Sequence, residues 1–455
     1  MRTTPIEIDA ENPFANCKLN RERYADVLTS IVESYKDGFV LAINGKWGTG
    51  KTTFMNMWRQ SLENKEYRTI YFNAWENDFT SEPMVAILGE LKSLTATENS
   101  LFDNILEKSA KFSSAILPIL AKTAATLAGF GGVADAIEKT SEAALCLINN
   151  EIEEYDKKKE ALSEIKKDLA EFIKENCGDK PLVFIVDELD RCRPDYAVEV
   201  LEKIKHLFAV EGVVFVLSID KEQLGHAVCG YYGSAKIDSR EYLRRFVDLE
   251  YTIPEPDYNL YTNHLCETSG VDSIKSAISD TSQREYIVSI IGHYCKNGRF
   301  SLRQIDKIFA LAKITMRSSP MTSLKFEIAV LLIIIKEFHS KLYGELKNSE
   351  NNVQNIANLF DEEFKDYYKD QEALDVNPLY FYGITVRILI MFNNNNRVVD
   401  NVIKADGSLA FKYLSFENIK DQLQSYGIDN HFQYNEKSKL SYYINAIDLL
   451  STLKV

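Results

Sequence analysis

The chain has 455 residues, with 67 acidic against 53 basic side chains and a formal net charge of −14. That length allows two or three compact units of about 150 residues, and 45% hydrophobic with 26% charged residues excludes wholesale disorder. An acidic balance of this size repels a phosphate backbone, so no direct nucleic-acid partner is expected and protein partners are.

In chain order, residues 1–5 lead into acids rather than an apolar run, so no signal peptide is expected. Seven scattered cysteines without a CxxC spacing read as reduced thiols, which points to the cytoplasm. Residues 6–38 read as a lead-in and a helix, with Asn20 as its cap and Arg23, Tyr24, Val27, Leu28, Ile31 and Val32 on one face. An apolar run at 39–43 has strand length; a glycine-bearing turn and a helix over 54–62 follow. Further strands are predicted at 69–73, 182–186, 213–217 and 247–253, with helices at 82–94 and 198–208. The stretch 95–176 reads as helix throughout, its second half charge-dense and solvated. Continuous apolar strands alternating with helices predict a parallel sheet covered on both faces. Pro254-Glu255-Pro256-Asp257 ends that pattern, so an α/β core over 1–260 with a helical insertion and an all-helical domain over 261–455 are expected.

Residues 112–134 are the longest charge-poor stretch, broken by Lys122 and containing Pro118. They are rich in small and polar residues, which favours a helical hairpin over the roughly 20 strongly apolar residues of a span. Residues 329–335 are too short to span, and 379–392 too polar at Arg387.

Gly45-Lys46-Trp47-Gly48-Thr49-Gly50-Lys51-Thr52 fits G-x-x-x-x-G-K-[ST] and lies between a predicted strand and a predicted helix. Glycines there let backbone N–H groups curl around anionic oxygens, and the helix N-terminus adds partial positive charge. Lys51 would reach the β- and γ-phosphates, Thr52 would offer its hydroxyl to Mg²⁺, and Thr53 would meet the α-phosphate. The strand 182–186 ends in Asp187-Glu188-Leu189-Asp190. Asp187 would hold Mg²⁺ through water. Glu188 is the candidate general base and Asp190 the competing one. Charge on the transferred phosphoryl group favours an added cation, for which Arg191, Arg244, Arg245 and Arg303 are candidates; Arg244 and Arg245 would serve a neighbouring subunit. Ser218 and Asp220 would sense the γ-phosphate or its water, while Asp220 also suits a cap for the helix that follows.

Four blocks together resemble the KAP P-loop NTPases: 45–53; Thr69-Ile70-Tyr71-Phe72-Asn73-Ala74-Trp75-Glu76; Asp187-Glu188-Leu189-Asp190-Arg191-Cys192-Arg193-Pro194; and 213–224. The resemblance covers about 39–255, with a looser match at 300–308. It implies an ASCE-type core with strand order 5-1-4-3-2, related to the STAND ATPases, and Mg²⁺-dependent ATP hydrolysis coupled to assembly. Many members carry transmembrane helices between the two nucleotide motifs, where the insertion 95–176 lies. Bacterial members are associated with phage or plasmid exclusion. Trp75 has a structural reading too, as a large residue packed on the sheet edge. Two functions are therefore carried forward: an ATPase acting as a conformational or assembly switch, and a nucleotide-gated protein-interaction scaffold with little turnover, in either case with membrane association through 112–134 as a further possibility.

The pairs His264/Cys266 and His293/Cys295 do not suit zinc, because residues i and i+2 of a helix point apart. Gly129-Phe130-Gly131-Gly132 reads as a turn between helices, and the aromatics Phe364, Tyr367, Tyr368, Tyr380, Phe381 and Tyr382 as helical core.

Overall fold

The computed structural model describes residues 6–35, 38–80, 83–94, 100–114, 159–207, 210–234, 236–268, 281–318, 326–348, 353–367, 384–385, 388 and 436–452. Residues 115–134, the 129–132 turn, and Tyr368, Tyr380, Phe381 and Tyr382 lie outside them, as do most of 379–392 and all of 393–396. The chain divides into two compact units, Ile6–Glu255 and Pro256–Val455.

The first unit runs α1 (Glu22–Ser34), β1 (Phe39–Asn44), α2 (Lys51–Asn64), β2 (Thr69–Asn73), α3 (Pro83–Lys92), α4 (Ser100–Ser114) and α5 (159–177). It continues with β3 (Leu182–Asp187), a 3-10 turn (Leu189–Arg191), α6 (Pro194–Leu207), β4 (Val213–Ile219), α7 (Lys221–Tyr231), α8 (Ser239–Leu243) and β5 (Leu249–Thr252). Five parallel strands form one sheet in the order β2-β3-β4-β1-β5, the expected 5-1-4-3-2. Strands β3 and β4 are buried at every position, because each has a strand on both sides and helices on both faces. On one face Leu41, Ile43, Val214 and Val216 pack against Leu28 and Val32 of α1 and Phe54 and Trp58 of α2. On the other, Ala42, Phe72, Phe184, Phe215 and Leu217 pack against Ile87 of α3, Phe172 of α5 and Leu201 of α6. Because all five strands are parallel, their C-terminal ends lie together at one edge.

Several local expectations shift. Asn20 is left-handed, with φ 49°, and Arg21 stands at the start of α1 without a side-chain cap bond. A capping residue needs extended backbone, which Asn20 lacks. The buried face of α1 is Ala25, Leu28, Thr29 and Val32, leaving Val27 47% exposed. Thr29 turns it inward, donating to the Ala25 carbonyl (2.8 Å) and accepting the Trp58 indole N–H (3.0 Å). Trp75 is 54% exposed rather than packed. The inward alternation of β2, Ile70 and Phe72, continues to Ala74, which is fully buried, and sends Trp75 outward.

The second unit is helical throughout its described residues: α9 (Tyr258–Thr268), α10 (Thr281–Lys296), α11 (Leu302–Ser318), α12 (Phe326–Phe338), α13 (Ser340–Lys347), α14 (Val353–Glu363) and α15 (Glu436–Thr452). Its centre is α12, buried from Phe326 through Ile335. No described helix is long and apolar enough to cross a membrane. Around the two His/Cys pairs, burial pushes the Cys295 thiol up to about 12, and His293 packs edge-on against the Tyr294 and Tyr367 rings.

One carboxylate fastens α15 to α12 and α13. Asp448 accepts from Lys336 (2.7 Å), Lys347 (2.6 Å) and Tyr343 (3.0 Å). Burial alone would raise its carboxyl, but the bonds from Lys336, Lys347 and Tyr343 outweigh it and hold the group below the usual aspartate range. A depressed folded-state pKa gives stability that is present above the unfolded value, about pH 4, and lost as pH falls through the lower folded value. Asp448→Asn is expected to lower stability by about 1–2 kcal/mol at pH 7. In denaturant titrations at stepped pH, the gap to wild type should close below about pH 4; a gap that persists there would contradict the assignment.

Candidate nucleotide-binding site

The loop Gly45–Gly50 leaves β1, which lies between β4 and β5, and opens α2. The Gly45 N–H donates to the Ile219 carbonyl of β4 (3.1 Å), fixing where the loop departs. Gly48 and Gly50 have φ of 75° and 82°, left-handed values that a side chain would strain. Gly50 therefore ends the loop in one residue, so α2 starts at Lys51 rather than at the predicted 54. The Thr49 hydroxyl donates to the Lys46 carbonyl (2.8 Å). Lys51 is 8% exposed, and its ammonium donates to the Gly45 carbonyl and to that of Lys46 (3.4 Å). Burial lowers its pKa, opposed by Asp190, Asp220 and Asp187. Thr52 and Thr53 follow on the first turn of α2, both half-buried.

Two strands away, β3 brings Asp187 to the same edge, in register with Asn73 of β2 and Ser218 of β4. Asp187 is 1% exposed. Its carboxylate accepts from the Tyr71 hydroxyl (2.8 Å) and the Glu188 N–H (2.9 Å). Burial, then Asp187, holds the Tyr71 phenol far above its usual range. Ser218 is fully buried beside Asp187, and its hydroxyl has no hydrogen-bond partner among the described residues.

Glu188 is left-handed, with φ 60°, a conformation costing an ordinary residue roughly 1–2 kcal/mol and held where surroundings over-determine it. Its Oε1 pairs with Arg191 (2.8 Å) and its Oε2 accepts from the Asn73 amide (3.4 Å). Burial raises its carboxyl pKa, opposed by Arg191. Asp190 is differently employed. It is 7% exposed and accepts the Trp47 indole N–H, tying the phosphate loop to the segment after β3. Burial raises its pKa as well, opposed by Trp47 and Lys51.

Asp220 caps α7, accepting from the Glu222 (3.2 Å) and Gln223 (3.3 Å) N–H groups, and its other oxygen accepts from the Trp47 N–H (3.2 Å). The structure thus brings Lys51, Asp187, Glu188, Asp190, Ser218 and Asp220 to one sheet edge. Arg191 pairs with Glu188. Arg244 is 73% exposed, pairs with Glu241 (3.0 Å), and lines a cavity of about 250 Å³ with Lys221, Asp248 and Glu250. Arg245 is exposed on the turn after α8. Arg303 is exposed at the start of α11 in the second unit.

Four contributors to this edge were not picked out from sequence. Tyr71 and Asn73 hold Asp187 and Glu188; the signal was their place on β2, which becomes informative once β2 is paired with β3. Arg193 grips Asp78 through its backbone N–H (2.9 Å), Nε (2.7 Å) and, at the Asp78 carbonyl, Nη2 (2.8 Å). Arg21 is 2% exposed and donates to the Gly50 carbonyl (3.3 Å); nothing in its neighbourhood of sequence distinguishes it from a surface arginine.

The donor set fits a hydrated magnesium ion: a helix-borne threonine hydroxyl at Thr52, a buried carboxylate at Asp187, and the unpartnered Ser218 hydroxyl beside it. Among known proteins, the family described as KAP family P-loop domain matches residues 21–366. No curated protein matches. A solved structure titled crystal structure of DNA replication initiation factor is similar at 12% identity over 99% of both chains, with a TM-score of 0.28, a likeness too slight to argue from.

Proposed function

Because this chain belongs to the KAP family of P-loop domains, we propose that it is a Mg²⁺-dependent ATPase whose nucleotide cycle drives a conformational or assembly switch. The observation that carries this reading is the gathering of Lys51, Asp187 and Glu188 at one sheet edge, with the loop amides of Gly45–Gly50 between them. In this reading Lys51 and the loop N–H groups bind the β- and γ-phosphates of ATP. Thr52 and Asp187 hold Mg²⁺, which when bound neutralises charge on the phosphate oxygens. Tyr71 and the Glu188 N–H fix the Asp187 carboxylate. Glu188 takes the proton of the attacking water, the carboxylate that directly follows Asp187 at the strand end, while Asp190 ties the phosphate loop through the Trp47 indole. In the same reading, Asp220 and Ser218 sense the γ-phosphate or its water.

Protein partners or self-assembly suit an acidic chain, and a bacterial phage- or plasmid-exclusion setting rests on the family resemblance. The cytoplasm is the proposed compartment, on the scattered spacing of the seven cysteines in the sequence. The test is phosphate release with and without Mg²⁺ across protein concentrations. Turnover that needs Mg²⁺ is expected, with a specific rate rising with concentration if assembly is coupled. ATP binding with no turnover at any concentration would favour the second reading, a nucleotide-gated scaffold, which the pairing of Glu188 with Arg191 supports.

A further inference from the structure

We propose that Arg191 is a positioning residue that restrains Glu188, and that the Trp75 turn is the handle by which the restraint is released. The inference rests on the ATPase reading and concerns its regulation. Arg191 was a candidate to contact the transferred phosphoryl group. Its guanidinium is instead 2.8 Å from Glu188 Oε1, and the two side chains are 26% and 12% exposed. A charge-assisted bond of that length, in a partly dry site, withdraws the oxygen from water. The second oxygen faces the Asn73 amide at 3.4 Å.

Asn73 is also the root of the turn that follows β2. Its Oδ1 accepts from the Trp75 and Glu76 N–H groups, at 3.1 and 3.3 Å. The Trp75 ring lies 6.0 Å from the Arg191 guanidinium, within reach of a cation–π contact. The far end of the turn is clamped by the three Arg193–Asp78 bonds. The turn and the segment after β3 are therefore tied together at both ends of the turn. The turn carries two large, outward-facing aromatics, Trp75 at 54% and Phe79 at 83% exposure. Pulling Trp75 away would strip Arg191 of its second contact and shift Asn73, so both donors on Glu188 loosen together. Glu188 is held in a left-handed backbone, so a small change at either donor is a change at the one side chain argued to accept the proton.

The experiment compares wild type, Arg191→Ala, Arg191→Lys and Trp75→Ala. Three readouts are used: steady-state phosphate release, affinity for a fluorescent ATP analogue, and amide hydrogen exchange over 73–79 and 187–193. The expected result is that Arg191→Ala raises kcat about 3- to 10-fold with nucleotide affinity within about twofold of wild type. Trp75→Ala should move kcat the same way by a smaller factor, and Arg191→Lys should fall between. Exchange should quicken in both segments for Arg191→Ala. A kcat lowered tenfold or more by Arg191→Ala at unchanged affinity makes Arg191 a phosphoryl contact and overturns the restraint. A loss of nucleotide affinity overturns it too. If wild type and variants bind ATP yet none turns over, the ATPase reading fails, and exchange decides the restraint: unchanged protection at 187–193 overturns it, and loss at both segments upholds it.

Discussion

Lys51→Ala should remove nucleotide binding and Mg²⁺-dependent phosphate release together, by about 100-fold or more in kcat/KM. The size follows from what surrounds the ammonium. Four carboxylates, Asp187, Glu188, Asp190 and Asp220, share this sheet edge in a chain of net charge −14, and in the proposed reading a strongly anionic triphosphate has to enter there. The fixed cation of the phosphate loop is Lys51, 8% exposed and oriented by the Gly45 and Lys46 carbonyls. Lys51→Arg is the control that keeps the charge, and a thermal melt of each variant separates loss of binding from loss of fold. Wild-type affinity for an ATP analogue in a folded Lys51→Ala protein would remove the basis of the nucleotide site.

Glu188→Gln and Asp190→Asn should part company. Without its carboxylate at 188 the chain should keep its ATP affinity and lose about 100- to 1,000-fold in kcat, so that bound ATP survives gel filtration unhydrolysed. Asp190→Asn should act through the loop instead. Losing the acceptor charge on the Trp47 indole loosens Gly45–Gly50, and the defect should appear mainly in affinity, with a change in tryptophan emission. If Asp190→Asn traps ATP while Glu188→Gln turns over normally, the base is Asp190.

Much of the first unit was legible because its strands are apolar runs of the right length between turn signals. The phosphate loop and Asp187 were found for the same reason: each sits directly after such a run. What sequence did not disclose depends on pairing. Asn73 and Tyr71 matter because β2 lies against β3, and no local pattern announces that neighbour. The separation of Glu188 from Asp190 was equally hidden, since two acids two positions apart differ chiefly in what reaches them across space: Arg191 and Asn73 for one, the Trp47 indole for the other. Helix ends slipped where one backbone angle decides, as at Gly50, and the face of α1 slipped because a buried threonine replaced an expected valine.

The strand order also bears on how the chain must be made. β1 pairs only with β4 and β5, both of which leave the ribosome long after it. The β2–β3 pairing spans the entire insertion. A nascent chain thus presents β2 without its partner until residue 187 has emerged and the phosphate-loop strand without one until residue 219, and closing such distant ends opposes chain entropy before any pairing rewards it. Late sheet closure leaves apolar strands open to the wrong partner during synthesis. The insertion that separates the two nucleotide motifs is therefore also a delay built into assembly, and α3 just before it and α4 at its start, which share one core with Ile70 and Phe72 in the finished fold, are the first cover β2 can receive.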